Sequence, residues 1–291
     1  MTRVAVVGDA LIDVMVAPEG PIRRGGDVPA AVRLELGGQG ANIAVRLARR
    51  GVAVRLACAL GDDTAGRLLR ESLDAEGVEL RPVFAPESGA VAVLVEADGE
   101  RTMLSRRAPL AAALDLRALV ADAGWLVVSG YVLLEPNVAE LARAVAALPL
   151  HRALVGCALD PAEAAAWMAT ATLLTPDLVI LNEAEARVLG DALRALPAAV
   201  VTTTAASGAV ASSAGELTRV EQSSVPARDT TGAGDAFAAA LVSQLLDAPW
   251  PPDAATLSTA MRGAAELAAA VTSVAGAQGR VSGERSARAR T

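Results

Sequence analysis

The chain has 291 residues, of which 53% are hydrophobic and only 2% aromatic, and its formal net charge is −7. The negative charge disfavours nucleic acids and anionic membranes as partners, and the scarcity of rings argues against a surface that stacks bases. Every basic residue is an arginine, which excludes a Schiff-base lysine and a Gly-Lys phosphate loop. One histidine, His151, and two cysteines, Cys58 and Cys157, are too few for a metal site built from His and Cys.

Short apolar runs alternate with helical patterns along the chain. Strands are predicted at 3–8, 52–61, 125–130, 152–160, 178–182 and 198–204, and helices at 41–51, 63–77, 137–148, 232–247 and 253–275. Strands separated by helices of this length form βαβ units. We therefore expect an α/β fold, with a doubly wound, mostly parallel sheet that has helices on both faces.

Two segments depart from this alternation. Residues 11–36 are rich in Gly and Pro, and residues 88–107 contain two strand-like runs around Ala-Asp-Gly-Glu, a hairpin turn signal. We expect both segments to form a small β-sheet lid within a single domain that spans residues 1–291. Exposed strand edges favour pairing between copies, so a homodimer through the lid is a further expectation.

The N-terminal strand contains Gly8 and Asp9 and has no basic region followed by a continuous apolar core. No run of about 18 uninterrupted apolar residues occurs anywhere in the chain. We therefore expect no signal peptide, no membrane association and a cytoplasmic location.

Three glycines precede the helix predicted at 41–51, in the sequence Leu-Gly-Gly-Gln-Gly-Ala-Asn. Gly37, Gly38 and Gly40 allow a ligand to approach the backbone, and Asn42 has an amide suited to binding a hydroxyl. The alternative is a tight strand–helix connection that binds nothing. The spacing does not match the dinucleotide fingerprint G-x-G-x-x-G, which disfavours a dehydrogenase.

A second glycine cluster, Asp-Thr-Thr-Gly-Ala-Gly-Asp-Ala-Phe at 229–237, begins another predicted helix. The backbone N–H groups of residues 232–234 lie at the positive end of the helix dipole, where a phosphoryl group binds well. Asp235, in the first turn, is placed to accept a proton from an attacking hydroxyl. The alternative is an Asp that stabilises only its own helix N-terminus.

Together and in this order, the two glycine clusters resemble the paired signatures of the ribokinase-like (PfkB) carbohydrate kinase family, over essentially the whole chain. The resemblance implies phosphorylation of a sugar or nucleoside hydroxyl by ATP with Mg²⁺. It implies that Asp235 is the catalytic base and that Gly232, Ala233 and Gly234 form the anion hole.

The same resemblance implies a set of sugar-binding residues. Asp13, which follows the first strand, matches an acid that binds substrate hydroxyls. Gly37, Gly38 and Asn42 match further sugar contacts, and Glu135 resembles another acid that faces the sugar.

On the nucleotide side, Asn182 and Glu185 match an N-x-x-E motif that lies near the metal and the phosphates in this family. The resemblance implies that Glu185 reaches Mg²⁺ through water, a reasonable arrangement for a hard cation. The local alternative is a helix N-cap with a capping box. Thr203 and Gly208 match a loop that contacts ATP phosphates, but Ala205 replaces its usual glycine, a departure that concerns ATP affinity.

Some family members also bind a monovalent cation near the start of the second motif. Asp229 fits this position, and the sequence 274–281 resembles the C-terminal loop that completes such a site. Arg280 stands roughly where a small hydroxyl residue is common, and its charge would repel K⁺ unless the side chain points away.

The candidate substrate residues suit a polyol, because sugars are bound by converging polar groups. On the predicted hairpin, Arg101, Arg106 and Arg107 are either a solvated face or ligands for a carboxylate or phosphate. Few rings are present to hold a nucleobase. We therefore expect an ATP-dependent kinase for a small sugar or sugar acid; the alternatives are a nucleoside kinase and a non-catalytic relative that binds sugar or nucleotide.

Overall fold

The structure, a computed structural model, describes residues 3–95, 101–204, 207–213, 215–221, 228–274 and 276–285. The strands are β1 (Arg3–Val7), β2 (Leu11–Pro18), β3 (Ala30–Gly37), β4 (Ala53–Ala57), β5 (Ala59–Leu60), β6 (Glu79–Leu80), β7 (Val83–Phe84), β8 (Gly89–Val95), β9 (Arg101–Arg106), β10 (Ala123–Ser129), β11 (His151–Val155), β12 (Leu178–Asn182), β13 (Ala199–Thr203), β14 (Ala209–Ser213) and β15 (Glu216–Val220). The α-helices are α1 (Gln39–Arg49), α2 (Thr64–Ala75), α3 (Leu116–Val120), α4 (Val138–Ala146), α5 (Ala164–Leu174), α6 (Glu183–Leu189), α7 (Ala233–Leu245) and α8 (Ala254–Thr272).

The main sheet has the strand order β15-β14-β13-β12-β11-β10-β1-β4-β6 among the described residues. Strands from β13 to β6 run parallel to one another, whereas β14 and β15 are antiparallel additions at one edge. The predicted mostly parallel sheet is confirmed. Its loops at the carboxyl edge lie where open α/β sheets bind ligands.

Both faces of the main sheet are covered by helices. In β1, the side chains of Val4 and Val6 join a core with α1, α2, α7 and α8, while Ala5 and Val7 join a second core with α3, α4, α5 and α6. Successive side chains of a strand point to opposite faces, so this division shows two helical layers. The doubly wound architecture is therefore confirmed.

The strands and helices predicted from periodicity are present, with ends that differ by a few residues. Helix α5 was not predicted, because its exposed positions carry alanines such as Ala165, Ala166 and Ala169 instead of polar residues. Without that contrast, no helical period is visible. Strands β14 and β15 were also missed, since Ala, Ser and Glu are weak strand formers and here form strands by pairing with β13 and with each other.

The two segments predicted as a small sheet form one. Its strand order is β3-β2-β8-β9, with β2 parallel to β8 and the outer pairs antiparallel. The turn between β8 and β9 lies outside the described residues. Because β2 follows β1 almost directly and β3 leads into α1, the small sheet is attached at the carboxyl edge of the main sheet. None of the described helices is both long and apolar enough to cross a bilayer.

Pairing of two copies through the small sheet stays a prediction, and the sheet offers a way to test it. Leu34 on β3 and Leu104 on β9 are 63% and 64% exposed, and they lie on one face in register with Val14 and Ala92. If this face is the dimer contact, changing both leucines to Glu buries two charges at the interface, and the protein sediments as a monomer.

Analytical ultracentrifugation checks this, with wild-type protein expected as a dimer. Leu217→Glu is the matched control, because Leu217 is 68% exposed on β15 of the main sheet. A monomeric wild type, or a double variant that stays dimeric, would refute the pairing.

Candidate active site

The N-terminus of α7 forms one wall of a small cavity. Gly232 precedes the helix with a φ of +75°, and a Cβ there would lie 2.8 Å from Cα of Ala277. Only glycine allows this approach and this backbone conformation. Gly232, Gly234 and Asp235 line the cavity, whereas the N–H of Ala233 donates to the carbonyl of Thr230 over 3.3 Å. Two of the three predicted anion-hole residues therefore face the cavity.

This inner cavity has a volume of about 170 Å³. Its other walls come from the first turn of α1 and from the carboxyl ends of β11, β12 and β13. The lining residues, besides those of α7, are Gln39, Val155, Gly156, Ile180, Leu181, Asn182, Glu185 and Thr203. The topology thus brings together residues from three separate parts of the sequence: Asn182 with Glu185, Thr203, and Asp235.

Asp235 is a partly buried carboxyl group with one close donor. Nδ2 of Asn42 donates to its Oδ2 over 2.8 Å. Burial raises the pKa of Asp235 to about 7; Asp9 and Glu185 add to this, while the Asn42 bond and Arg46 oppose it. A carboxyl group that titrates near neutrality is suited to general base catalysis.

For Asn182 and Glu185 the sequence left two alternatives open, a helix capping box and a place in the nucleotide site, and the structure is compatible with both. Oδ1 of Asn182 accepts from the Glu185 amide, and Oε2 of Glu185 accepts from the Asn182 amide, both at 2.9 Å, so they form a complete capping box at α6. Both also line the inner cavity. Burial raises the pKa of Glu185 to about 7. Helix capping therefore does not remove these groups from the cavity.

Thr203 ends β13 beside the same cavity, and its hydroxyl donates to the carbonyl of Leu181 over 3.3 Å. Gly208 adopts a φ of +101° in the connection to β14 and is not among the cavity residues. Ala205 lies outside the described residues.

The first glycine cluster brings the small sheet and α1 together. A Cβ at Gly37 would overlap the carboxylate of Asp13, and a Cβ at Gly38 would lie 2.7 Å from the carbonyl oxygen of Asp9. Burial, together with Asp9 and Glu35, raises the pKa of Asp13 to about 6. Asn42 is only 5% exposed. The glycines therefore allow a close approach between chain segments that carry Asp13, Asp9 and Asn42.

A larger outer pocket, of about 430 Å³, contains Glu135. Oε2 of Glu135 accepts the amides of Leu110 and Ala111, each at 2.8 Å. Burial raises the pKa of Glu135 from its ordinary value, against the lowering effect of these two bonds. The pocket also contains Asp9, Arg107, Tyr131 and Glu163.

Asp9 is a central residue that the sequence interpretation did not assign to the site. Its Oδ1 accepts the amide of Gly40 at 3.3 Å, and its Oδ2 accepts Nε of Arg107 at 2.9 Å. Its charge raises the pKa values of Asp13, Glu135 and Asp235 alike. The available signal was its position directly after Gly8 at the carboxyl end of β1.

Gln39 was also missed. Its Nε2 donates to the carbonyl of Gly156 over 2.7 Å, and its buried Oε1 has no partner in the described part of the chain. A buried amide oxygen without a partner costs free energy. Because Gln39 lines the inner cavity, this oxygen is available to a donor on a ligand.

Arg107, one of the three hairpin arginines, lines the outer pocket. Its guanidinium lies 3.7 Å above the ring of Tyr131 and pairs with Asp9. Arg106 pairs instead with Glu87 and donates to the carbonyl of Ser88. Arg101 begins β9, and its side chain lies outside what the structure describes.

Asp229 is buried and lies against the C-terminal loop. Its Oδ1 accepts the amide and hydroxyl of Thr231, and its Oδ2 accepts the amide of Gly276 at 3.0 Å. Arg280 is bound by both carboxylate oxygens of Glu76, at 3.0 Å, and also donates to the carbonyl of Arg285. The described residues contain no group of three or more His, Cys, Asp or Glu side chains able to hold a metal ion by themselves.

Comparison with known proteins gives a consistent result over the chain. The profile of the family described as "pfkB family carbohydrate kinase" matches residues 1–282. A ribokinase of Bacillus subtilis (strain 168) is 29% identical over 264 residues, covering 85% of this chain and 87% of the relative. A fructokinase of Salmonella typhimurium is 28% identical over 306 aligned positions, covering 94% of each protein.

Solved structures show the same fold. A putative ribokinase II of E. coli in its apo form superposes with a TM-score of 0.80 at 21% identity, covering 97% of this chain and 96% of that one. A fructokinase of Xylella fastidiosa with bound ATP has a TM-score of 0.77 at 24% identity, with 94% of each chain covered. A ribokinase of Cryptococcus neoformans var. grubii serotype A in complex with ADP has a TM-score of 0.74 at 24% identity, covering 96% of each chain.

The raised pKa of Asp235 predicts a pH-dependent cost to stability. Well below pH 4 the carboxyl is protonated in both the folded and the unfolded chain. Between about pH 4 and pH 7 the unfolded chain ionises while the folded protein still holds the proton, so stability falls over this range and is constant above it. Asp235→Asn removes this cost. We expect its stability relative to wild type to increase by roughly 2 to 4 kcal/mol between pH 4 and pH 8 in urea unfolding.

Asp63→Asn provides the opposite control. Hydrogen bonds from Ser88 and Gly66 lower the pKa of Asp63 to about 2, so its contribution is present above pH 4 and is lost as pH falls towards 2. This variant should be less stable than wild type at pH 8, with a constant difference between pH 5 and 8. A pH-independent effect of Asp235→Asn would contradict the titration near 7.

Proposed function

Because the chain belongs to the pfkB family of carbohydrate kinases and is an ATP-dependent sugar kinase, we propose that it transfers the γ-phosphate of ATP to a hydroxyl of a small sugar or sugar acid. In this proposal Asp235 is the general base, and the backbone at residues 232–234 is the anion hole. The supporting observation is the location of Asp235 in one cavity with the Gly232 and Gly234 backbone at the N-terminus of α7.

The proton moves from the acceptor hydroxyl to the Asp235 carboxylate as the hydroxyl oxygen attacks the γ-phosphorus. The phosphorus–oxygen bond to ADP breaks in the same displacement, so ADP leaves with the electron pair. The N–H groups at the start of α7 stabilise negative charge on the phosphoryl oxygens. Hydrogen bonding from Asn42 favours the ionised form of Asp235, which the base role requires.

The nucleotide side of the site is assigned to Asn182, Glu185, Thr203 and Gly208. One or two carboxylates plus phosphate oxygens and waters are a usual environment for Mg²⁺, so Glu185 with Asn182 beside the inner cavity fits a metal held mainly by ATP. When bound, Mg²⁺ neutralises charge on the transferring phosphates. Asp229 stays the candidate for a monovalent cation. The sequence suggested that the charge of Arg280 would repel such a cation, but Arg280 is paired with the carboxylate of Glu76, which offsets that charge.

The acceptor is assigned to the outer pocket and the adjoining face of the small sheet, with Asp13, Gly37, Gly38, Asn42 and Glu135 as candidate contacts. The pocket contains the carboxylates of Asp9, Glu135 and Glu163 and one cation, Arg107, which is already paired with Asp9. An anionic acceptor would therefore meet a net negative surface. This favours an uncharged sugar over a sugar acid.

Two alternatives remain in the proposal. A nucleoside kinase needs an apolar or aromatic wall for the base. The ring in the outer pocket, Tyr131, already has Arg107 over one face, whereas Leu110, Val132 and Leu134 offer apolar surface. A non-catalytic relative is suggested by Ala205, which replaces a usual glycine in the sequence. Thermal stabilisation by sugar or ATP without ADP release on any acceptor would support that second alternative.

The base assignment predicts a kinetic phenotype. Asp235→Asn removes the proton acceptor while keeping the shape of the side chain, so we expect the turnover number to fall by about 10³-fold. ATP affinity should stay within about twofold, because the substitution leaves the nucleotide side unchanged. A coupled ADP-release assay and isothermal titration calorimetry measure these quantities. Turnover near the wild-type rate would refute the assignment.

The charge of the outer pocket predicts acceptor selectivity. In an ADP-release panel of pentoses, hexoses, the corresponding aldonates and nucleosides, neutral sugars should have kcat/KM values at least about tenfold above those of the aldonates. Arg107→Met removes the ion-pair partner of Asp9 and should lower neutral-sugar kcat/KM without improving aldonates. Preferred turnover of an aldonate, lost in Arg107→Met, would instead assign Arg107 to a substrate carboxylate.

A further inference from the structure

The C-terminal loop at residues 276–278 contacts both glycine clusters. The amide of Gly276 donates to Asp229, Ala277 lies against Gly232, and Nε2 of Gln278 donates to Oδ1 of Asn42 over 3.1 Å. Two of these contacts reach the second glycine cluster at the start of α7, and the third reaches Asn42 on α1, 236 residues away in the sequence. The loop is therefore part of the wall that supports the site.

A buried ion-pair network holds this loop against α1. Arg46, which is fully buried, donates to Glu284 at 2.7 Å and to the carbonyl of Ala277 at 2.8 Å. Arg49 donates to the carbonyl of Gln278 at 2.8 Å and pairs with Glu76. Buried ion pairs with additional hydrogen bonds fix one geometry, because any other arrangement leaves a buried charge unpaired. The backbone of Gln278 is thus fixed relative to Asn42.

The orientation of the Asn42 amide determines whether Asp235 accepts a hydrogen bond from it or faces its oxygen. An amide has a donor end and an acceptor end, and turning it over would place its oxygen against the carboxylate. Gln278 donates to the oxygen end and so keeps the Nδ2 end, 2.8 Å from Asp235, on the carboxylate side. Because this group is buried, a wrong orientation would be costly for an ionised Asp235.

We propose that Gln278 is a positioning residue for the kinase reaction: it fixes the amide of Asn42 so that Asn42 donates to the Asp235 carboxylate. This proposal rests on the proposed role of Asp235 as the base. It adds to that role a residue from the C-terminal loop that needs no contact with sugar or ATP. The charged groups acting on Asp235 are Asp9 beyond β1, Arg46 on α1 and Glu185 on α6, and none of them is altered by a change at Gln278.

Gln278→Leu tests this role, because it removes the donor with little change of volume. The freed Asn42 amide stabilises the Asp235 carboxylate less well, so the acid limb of the kcat profile should move to higher pH. We expect kcat at pH 6.5 to fall at least about tenfold and to recover to within about threefold of wild type at pH 8.5, with KM for ATP unchanged.

Gln244→Leu is the matched control. Gln244 also has a partly buried amide, which donates to the carbonyls of Ala240 and Ala260 between α7 and α8. This variant should lose stability without any shift in the pH profile. A Gln278→Leu profile with an unchanged midpoint, whether or not its height falls, would overturn the positioning role. Gln278→Glu, which replaces the donor by an acceptor, should shift the limb further.

A second readout does not depend on turnover. The side-chain amide signal of Asn42, assigned through its absence in Asn42→Leu, should titrate in ¹H–¹⁵N spectra with the Asp235 carboxyl, and its midpoint should rise in Gln278→Leu. If wild type phosphorylates no acceptor but this shift occurs, the positioning stands and the proposed function fails. If wild type is active and the midpoint stays constant, the positioning fails alone.

Discussion

The contact on which this site depends is the hydrogen bond from the Asn42 amide to the Asp235 carboxylate. A carboxylate that is partly withdrawn from water is costly, and this cost raises its pKa to about 7. The N-terminus of α7 and the Asn42 donor offset part of that cost. The result is a carboxyl group with a pKa near neutrality. An exposed Asp, with a pKa of about 4, stays ionised at that pH.

This contact requires two helix N-termini to meet, and glycines make the meeting possible. Gly40 packs against Gly8, so that a Cβ on either would lie within 2.9 Å of the other backbone, and Gly232 packs equally closely against Ala277. Side chains at these positions would separate α1 from β1, and α7 from the C-terminal loop. The glycine-rich sequences therefore serve the packing of the site.

A second feature is the accumulation of carboxylates at the carboxyl edge of the sheet. Asp9 influences Asp13, Glu135 and Asp235 at once, and Arg107 neutralises only Asp9 directly. Such an arrangement suits an acceptor that brings hydroxyl donors and no negative charge. The inner cavity adds the carboxyl groups of Asp235 and Glu185, so both cavities at this edge of the sheet are rich in acidic side chains.

Sequence alone determined the alternation of strands and helices, the small additional sheet and the two glycine clusters, because periodicity and glycine placement are local properties. It also placed Asp235 in a first helical turn. It did not identify Asp9, Gln39 or Gln278, whose roles arise from partners up to 236 residues away. Nor did it select Arg107 among three hairpin arginines, since Arg107 follows the end of β9 and only the folded chain brings it to Asp9 and Tyr131 in the outer pocket. Only the tertiary structure sets burial and charge neighbours, and therefore only it decides which carboxyl groups titrate near neutrality.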